Sequence, residues 1–508
     1  MTSRSFARFA SSAAVVVCAA SVAACGLLYG FDRYDTDVVP AALDGGTLDE
    51  TAASGDFELV VADALRIEPG TSSPLVVELK RAGGSSERVV VLFAEPLPAG
   101  LVRAPPATLE PDVSSTTVTV AALADAPVIT QTLHLTATSA TRTRTKDVSV
   151  TLRGLPCNAD RQFGPDVPGS LIFTAGGKAP VTVLGLVASA GTITAGLGEP
   201  LSQLYRLDAT GHLTWDRSAP SDTLGISVDA TLGVEIATSG TVLRLRNDGS
   251  RDFAYGGTVP APCTPGAVVQ GASAMTIVCA DATAAFKFAR FDASGAAAFG
   301  DPIPFGFGSA SSALSASAAA GSTVACGHAD DGSTKYGAFA RWLPSGQRDE
   351  AFGTSGGVRL DTAALAGGGG IVRAPIACVS DDAGVVGLLA ADSDRVLVGL
   401  TPTGSLDSAF GAAGILPLHD LMSTPVDAAA LAFDQGAVLV AASTSAGTFV
   451  ARYSRVGRLD TTFGVGGYCP VVAVPAAESV SAVTLTADHK LLILTTAVGQ
   501  ARLSSIWL

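Results

Sequence analysis

The sequence predicts an all-β chain, built as an immunoglobulin-like sandwich followed by a seven-bladed β-propeller. Three observations carry this. Short runs of Val, Leu, Thr and Ala stand between turns rich in the 56 glycines and 27 prolines, the composition of strands and tight turns. Only 15% of the residues are charged and the mean hydropathy is +0.41. Beyond the N-terminus no uncharged apolar run reaches the roughly 18 residues that a spanning helix needs. The apolar residues therefore belong in sheets buried on both faces. Finally, one short motif returns in phase along most of the 508 residues, a length that suits two to four domains.

The net charge is −14, from 46 acidic and 32 basic residues. That sign repels phosphate backbones, so nucleic acid is excluded as a partner class. Arg greatly outnumbers Lys, Ala is abundant, and Asn158 and Asn247 are the asparagines. These features read as GC-rich coding rather than as function.

The chain opens with a basic region at Arg4 and Arg8, an uncharged apolar stretch from Ser11 to Ala20, and then Val22-Ala23-Ala24-Cys25. The apolar stretch is too short to span and suits a cleaved signal. The tetrad resembles a bacterial lipobox. That resemblance implies a signal peptide over 1–24 and a lipidated Cys25 as the first mature residue. Such a Cys carries dozens of buried methylenes at about 0.8 kcal/mol each. No Asp follows Cys25, which by analogy with Gram-negative sorting implies the outer membrane. The membrane is thus an expected partner, through the anchor. Residues 25–55 read as the lipidated Cys and a flexible tether, since no periodicity is sustained from Tyr29 to Gly55.

Residues 56–154 change to short strands broken by turns. Leu75, Val77 and Leu79 alternate with Val76, Glu78 and Lys80, and Val89 to Phe93, Val118 to Val120, Leu133 to Thr136 and Val148 to Leu152 follow. About seven strands in this length fit the sandwich. Leu97-Pro98-Ala99-Gly100-Leu101, Ala124-Asp125-Ala126-Pro127 and Leu135-Thr136-Ala137-Thr138-Ser139 resemble bacterial Ig-like surface modules. The resemblance implies a spacer, with carbohydrate binding as the alternative.

From 155 to 508 the motif organises the chain. Phe449-Val450-Ala451-Arg452-Tyr453 runs to Gly457 and then Leu459-Asp460-Thr461-Thr462-Phe463-Gly464. Phe339-Ala340-Arg341-Trp342 runs to Gly346 and then Asp349-Glu350-Ala351-Phe352-Gly353, and Gly404-Ser405-Leu406-Asp407-Ser408-Ala409-Phe410-Gly411 repeats the second half. Weaker copies stand at Asp160 with Phe163-Gly164, Asp252 with Tyr255-Gly256, and Phe299-Gly300. This recurring string resembles the delta-60 repeat family over Cys157 to Leu508, which implies a propeller. Arg206, Arg244, Arg290, Arg341 and Arg452 each stand five residues before a glycine. Gly399 replaces the Arg in one unit and Arg502 fits a final unit, giving seven registers. Within the sixth unit, strands are legible over 426–433, 437–443 and 448–454, and an additional strand follows each Phe-Gly turn, as at 414–418. Four strands make one blade, drawn from one continuous unit, so no exchanged strand is expected to lock the ring.

The motif's expected chemistry is structural. Glycine after Phe permits a sharp crossover, Phe352, Phe410 and Phe463 plug seams, and Asp349, Asp407 and Asp460 accept turn N–H bonds while pairing with Arg. Besides Cys25, six cysteines remain in the mature chain, an even number that favours disulfides after export. Cys263 and Cys279 can face each other across a hairpin. Cys326 and Cys378 fall on middle strands of adjacent blades. Cys157 and Cys469 flank the array, so a bond between them would close it.

Little else carries chemistry. His134, His212, His328, His419 and His489 lack metal-ligand spacing. Gly353-Thr354-Ser355-Gly356-Gly357 formally matches a nucleophile elbow but falls in the repeat's own turn, where the required following helix is not expected. Gly367 to Gly370 lack the Lys-Ser/Thr of a phosphate loop, and Asp330-Asp331-Gly332 and Asp381-Asp382-Ala383-Gly384 read as acidic turns without a calcium loop. No catalytic, metal or cofactor residue is assigned. The expected function is a non-catalytic binding or scaffold protein of the envelope, with a protein or glycan partner. The alternative is a propeller enzyme, such as a quinoprotein-like sugar dehydrogenase or a lyase, built on Arg and Asp at the channel mouth.

Overall fold

The structure is a computed structural model and describes residues 56–508 apart from internal stretches, of which 361–374 is the longest. The signal, Cys25, the tether, Cys263, His419, Gly367 to Gly370 and Asp331 lie outside the described residues. The described residues form one compact unit. Every regular element among the described residues is a strand, so the chain is all-β.

The first two sheets share one core. One orders Phe57–Val61, Ser72–Arg81, Ser115–Ala122 and Leu101–Val102, and the other orders Ala64–Ile67, Thr143–Leu152, Thr130–Thr138, Val89–Phe93 and Ala107–Leu109. In Ser72–Arg81 the residues Leu75, Val77 and Leu79 are buried while Val76 and Glu78 face out, as a period of two requires. Val77, Val89, Leu133, Leu135, Val148 and Val150 lie at the centre. Each buried side chain of this kind stabilises the fold by about 1.5–3 kcal/mol. Nine strands form among the described residues where about seven are expected. Three of the nine are short: Ala64–Ile67, Leu101–Val102 and Ala107–Leu109.

Seven further sheets follow among the described residues, each with a path of four hydrogen-bonded strands. Sheets one to six cover 183–218, 223–260, 265–304, 310–360, 375–417 and 428–470 in sequence, the third with the extra strand Ile303–Pro304. Neighbouring strands are antiparallel, as short hairpins dictate. The first strand of each sheet packs against the first strand of the next. That of the seventh, Ser479–Leu485, packs on Val183–Ser189 of the first, so the contacts run in a cycle.

The seventh sheet corrects the expectation of continuous units. Its order is Ser170–Thr174, Gln500–Trp507, Lys490–Ala497, Ser479–Leu485. The outer strand comes from the opposite end of the array, and Ile172 pairs with Arg502 across 330 residues of chain. Main-chain pairing therefore closes the cycle.

Candidate functional site

The motif builds one seam repeatedly. A third strand ends at the Arg position, the chain turns through a glycine, and the Asp N–H donates back to the carbonyl at the Arg position. The distance is 2.9 Å for Asp252 to Arg244, 3.0 Å for Asp349 to Arg341 and 2.9 Å for Asp460 to Arg452. The side chains pair over the same ladder, at 3.0 Å for Arg244–Asp252 and 2.6 Å for both Arg341–Asp349 and Arg452–Asp460. The Arg341 and Arg452 guanidinium groups lie 4.5 and 4.6 Å from the ring centres of Phe352 and Phe463, a cation–π arrangement. Burial works against the charge of Asp460. Hydrogen bonds from Thr462 and the Arg452 cation outweigh it, holding that carboxyl below the ordinary value.

Each Phe-Gly turn then grips the next sheet. Gly353 N–H donates to Thr403 O at 2.8 Å, Gly411 to Val456 O at 3.0 Å and Gly164 to Thr210 O at 2.9 Å. The acceptor precedes the turn glycine of the following sheet. Those glycines sit in the left-handed region, with φ of 82° at Gly211, 80° at Gly404 and 72° at Gly457. A Cβ on Gly404 would stand 2.9 Å from Gly353 N and 2.5 Å from Val358. Glycine is needed for both reasons.

Where the motif departs from its pattern, the structure substitutes other contacts. Arg206 donates to Thr194 Oγ1 at 2.6 Å and to Asn247 Oδ1 of the next sheet at 3.4 Å, and Arg290 donates to Pro344 O of the next sheet at 3.2 Å. At Gly399 the ring of Phe410 packs into the space of the missing side chain, while Asp407 N–H still donates to Gly399 O at 2.9 Å. Phe299 is no seam plug, being 66% exposed. The seam there is made by Phe288 stacked on Trp342 at 5.4 Å, whose indole donates to Asp301 O at 2.8 Å.

The final register also needs correction. In the seventh sheet Asp160 N–H donates to Ser505 O at 2.9 Å, the bond that Asp460 makes to Arg452. Ser505, not Arg502, therefore holds the Arg position. Arg502 instead meets buried Glu478 at 3.1 Å. The cation for Asp160 comes from Lys490 on the neighbouring strand, 2.9 Å from Asp160 and 2.9 Å from Asp488, with its Nζ 4.5 Å from the Trp507 ring centre. Burial disfavours the Lys490 charge, yet the two carboxylates hold its pKa above the ordinary lysine value. Burial likewise opposes the charge of Asp488, but the Thr486 hydrogen bond and Lys490 keep it below the usual carboxylate value.

Cys157 completes this rewritten copy. It stands three residues before Asp160, as Gly457 does before Asp460. Its φ is 71°, and its N–H donates to Trp507 O at 2.9 Å as Gly457 N–H donates to Ser454 O. It is disulfide-bonded to Cys469, with Cα atoms 5.0 Å apart. Cys326 and Cys378 are also bonded, at a Cα separation of 6.2 Å. Cys378 lies on a first strand, Pro375–Asp381, rather than on the middle strand expected, while Cys326 is on the second strand of its sheet. Cys279 is in a disulfide and its register partner is Pro265; the expected partner Cys263 lies outside the described residues.

With the motif residues holding seams, the side chains that differ between sheets form the candidate site. The hairpins after the first strands of sheets five, six and seven place Asp381 and Asp382, Asp434 and Gln435, and Asp488 and His489 along one rim. Arg455 links sheet six to Asp381 at 3.2 Å, and His489 reaches Asp434 at 3.4 Å and Gln435 at 3.3 Å. A cleft of about 220 Å³ beside it is lined by Ser322, Arg341, Asp349, Ser380, Asp381 and Asp382. A wider cleft of about 590 Å³ runs along Gly353, Thr354, Ser355 and Arg359. There Thr354 N–H bonds Gly357 O and Gly357 N–H bonds Thr354 O within a tight turn that leads into the strand Gly357–Leu360, not a helix. Elsewhere His134 meets Asp147 at 2.6 Å and His212 meets Thr210 at 2.7 Å, both on exposed strands or turns. Among the described residues no three His, Cys, Asp or Glu side chains are grouped to hold a metal, and no helix is long and apolar enough to cross a membrane. No family model matches the chain, and no curated protein matches it.

Proposed function

We propose that this chain is a lipid-anchored protein of the cell envelope, outer-membrane in address, in which an Ig-like sandwich carries a seven-bladed β-propeller of the delta-60 type that binds a protein or glycan without catalysis. The cyclic packing, among the described residues, of seven sheets that each contain a path of four strands supports the propeller, because blades meet first strand to first strand around an axis. The function rests on one observation. The motif pairs Arg244–Asp252, Arg341–Asp349 and Arg452–Asp460 are engaged in seams, whereas the polar rim of Asp381, Asp382, Asp434, Gln435 and His489 changes from sheet to sheet and keeps Asp382 and Gln435 exposed. In a repeat protein, variation on a fixed frame is where recognition is placed.

The test uses the full chain as bait for crosslinking in solubilised envelope, together with a glycan array. Asp382→Ala, Gln435→Ala and His489→Ala combined should reduce retained partner at least about tenfold while far-UV circular dichroism stays unchanged. Equal retention would rule out the rim. The anchor is tested by fatty-acid labelling, which should mark the wild type and not Cys25→Ser.

A further inference from the structure

We propose that the Cys157–Cys469 disulfide is a redox latch on the closure of the cycle, and that its state decides whether the sandwich stays seated on the seventh sheet. Three observations meet here.

The first is position. Cys157 replaces the turn glycine of the repeat, in a left-handed conformation that disfavours any residue with a Cβ. The other copies place glycine there, at Gly249, Gly346, Gly404 and Gly457. A backbone that costs conformational energy persists where something else holds it. At Cys157 the holder is covalent: Cys469 lies on Tyr468–Pro470, the outer strand of sheet six.

The second is connection. The closing contacts converge on three residues of chain. Cys157 N–H donates to Trp507 O at 2.9 Å, Trp507 N–H to Asn158 O at 3.0 Å and Asp160 N–H to Ser505 O at 2.9 Å. Just upstream, Arg153 Nη2 donates to Leu508 O, and Gly154 lies so close to the Trp507 indole that no Cβ fits between them. The sandwich thus meets the seventh sheet at Trp507 and Leu508, and Trp507 is the residue that the Cys157 backbone also holds.

The third is access. Cys157 is only partly buried, whereas Cys469, Cys326 and Cys378 are buried. An external thiolate can reach Cys157 first, because exchange requires attack on a sulfur that solvent can approach. Cys326–Cys378, with a sequence separation of 52 against 312, joins neighbouring sheets that the chain already connects.

The chemistry balances by exchange. To set the latch, one thiolate displaces a thiol from an external disulfide, and the second thiolate then displaces the other. The S–S bond closes and two external thiols leave with the two electrons and two protons. An external dithiol reverses the sequence and is itself oxidised to a disulfide.

Hydrogen exchange read by mass spectrometry on the full chain tests this, with graded dithiothreitol and thiol trapping. Reduction should make amides of 157–174 and 500–507 exchange at least about tenfold faster while 192–197 and 437–444 keep their protection. Cys326→Ala with Cys378→Ala should give no such local change. Cys157→Ser should behave as the reduced protein, and Cys157→Gly, which restores the residue of the other copies, should exchange more slowly than Cys157→Ser. Opening of Cys326–Cys378 before Cys157–Cys469 in wild-type protein would overturn the proposal. So would a reduced protein whose closing strands stay protected or whose sheets all loosen together.

Discussion

At the scale of single residues, Lys490 is the sharpest case. Its ammonium is almost fully buried between Asp160 and Asp488. Removing one partner of such a group leaves uncompensated charge, which costs about 3–5 kcal/mol. Lys490→Met is expected to destabilise by that amount in urea unfolding, and adding Asp160→Asn should recover part of it. The pH window follows from the directions of the shifts. Because the folded-state pKa of Lys490 is raised, its contribution is complete below the ordinary lysine value and is lost as pH climbs through the raised one. Because that of Asp488 is depressed, its contribution is present above the ordinary carboxylate value and is lost as pH falls through the lowered one. Unfolding midpoints of wild type and Lys490→Met should therefore converge at both extremes. Gly404 makes a second case: Gly404→Ala combines a left-handed φ with two close contacts, and should cost about 1–3 kcal/mol.

At the scale of elements, the third and fourth strands and their turns were legible because Arg, Asp, Phe and Gly are distinctive and recur at fixed spacing. The first strands carry no such motif: 426–433 in the sixth unit is legible from its apolar run and matches Ala428–Asp434, but the feature the first strands share was not, because its signal is smallness. Six of the seven share a register shift at one level, between Val183 and Gly185, Thr223 and Gly225, Pro265 and Ala267, Ala313 and Ser315, Pro375 and Ala377, and Val480 and Ala482. After each shift stands Gly, Ala or Ser. A Cβ on Gly185 would lie 2.7 Å from Ile226, and one on Gly225 2.5 Å from Val268. Alanine content read as coding bias is thus in part a packing requirement where bulged strands converge. Gly225→Val should overpack that contact and cost about 1–3 kcal/mol in urea unfolding, with the slope of the transition unchanged. The closing strand was missed for another reason. Ser170–Thr174 carries no motif of its own, and its pairing with Gln500–Trp507 is set by topology at long range, which local spacing does not encode. The candidate rim was legible only as acidic turns; that Arg455 and His489 join those turns across sheets depends on the cycle.

At the scale of the whole molecule, the question is whether the first two sheets and the cycle behave as one body. The two cores are separate, the first confined to residues 57–152. Among the described residues what joins them is small: Arg153 on Leu508 and Gly154 against Trp507, with Arg66 bracing the carbonyls of Arg153 and Gly154 and Glu68 facing the charges of Arg161 and Asp160. Such a contact has little apolar area, so its coupling depends on fit more than on burial. Gly154 is the residue on which the fit turns, because a methyl there would overlap Cδ1 of the Trp507 indole. Gly154→Ala must therefore part the two cores or displace Trp507, leaving both cores intact, since neither contains Gly154. Wild type is expected to melt with the first two sheets and the cycle coupled. Gly154→Ala should show two resolved calorimetric transitions, a red-shifted tryptophan emission and a larger radius of gyration by small-angle scattering. A single unchanged transition in the variant would mean that the two bodies are coupled through something other than the Gly154–Trp507 contact, leaving the Arg153–Leu508 hydrogen bond and the Glu68–Arg161 attraction to carry it.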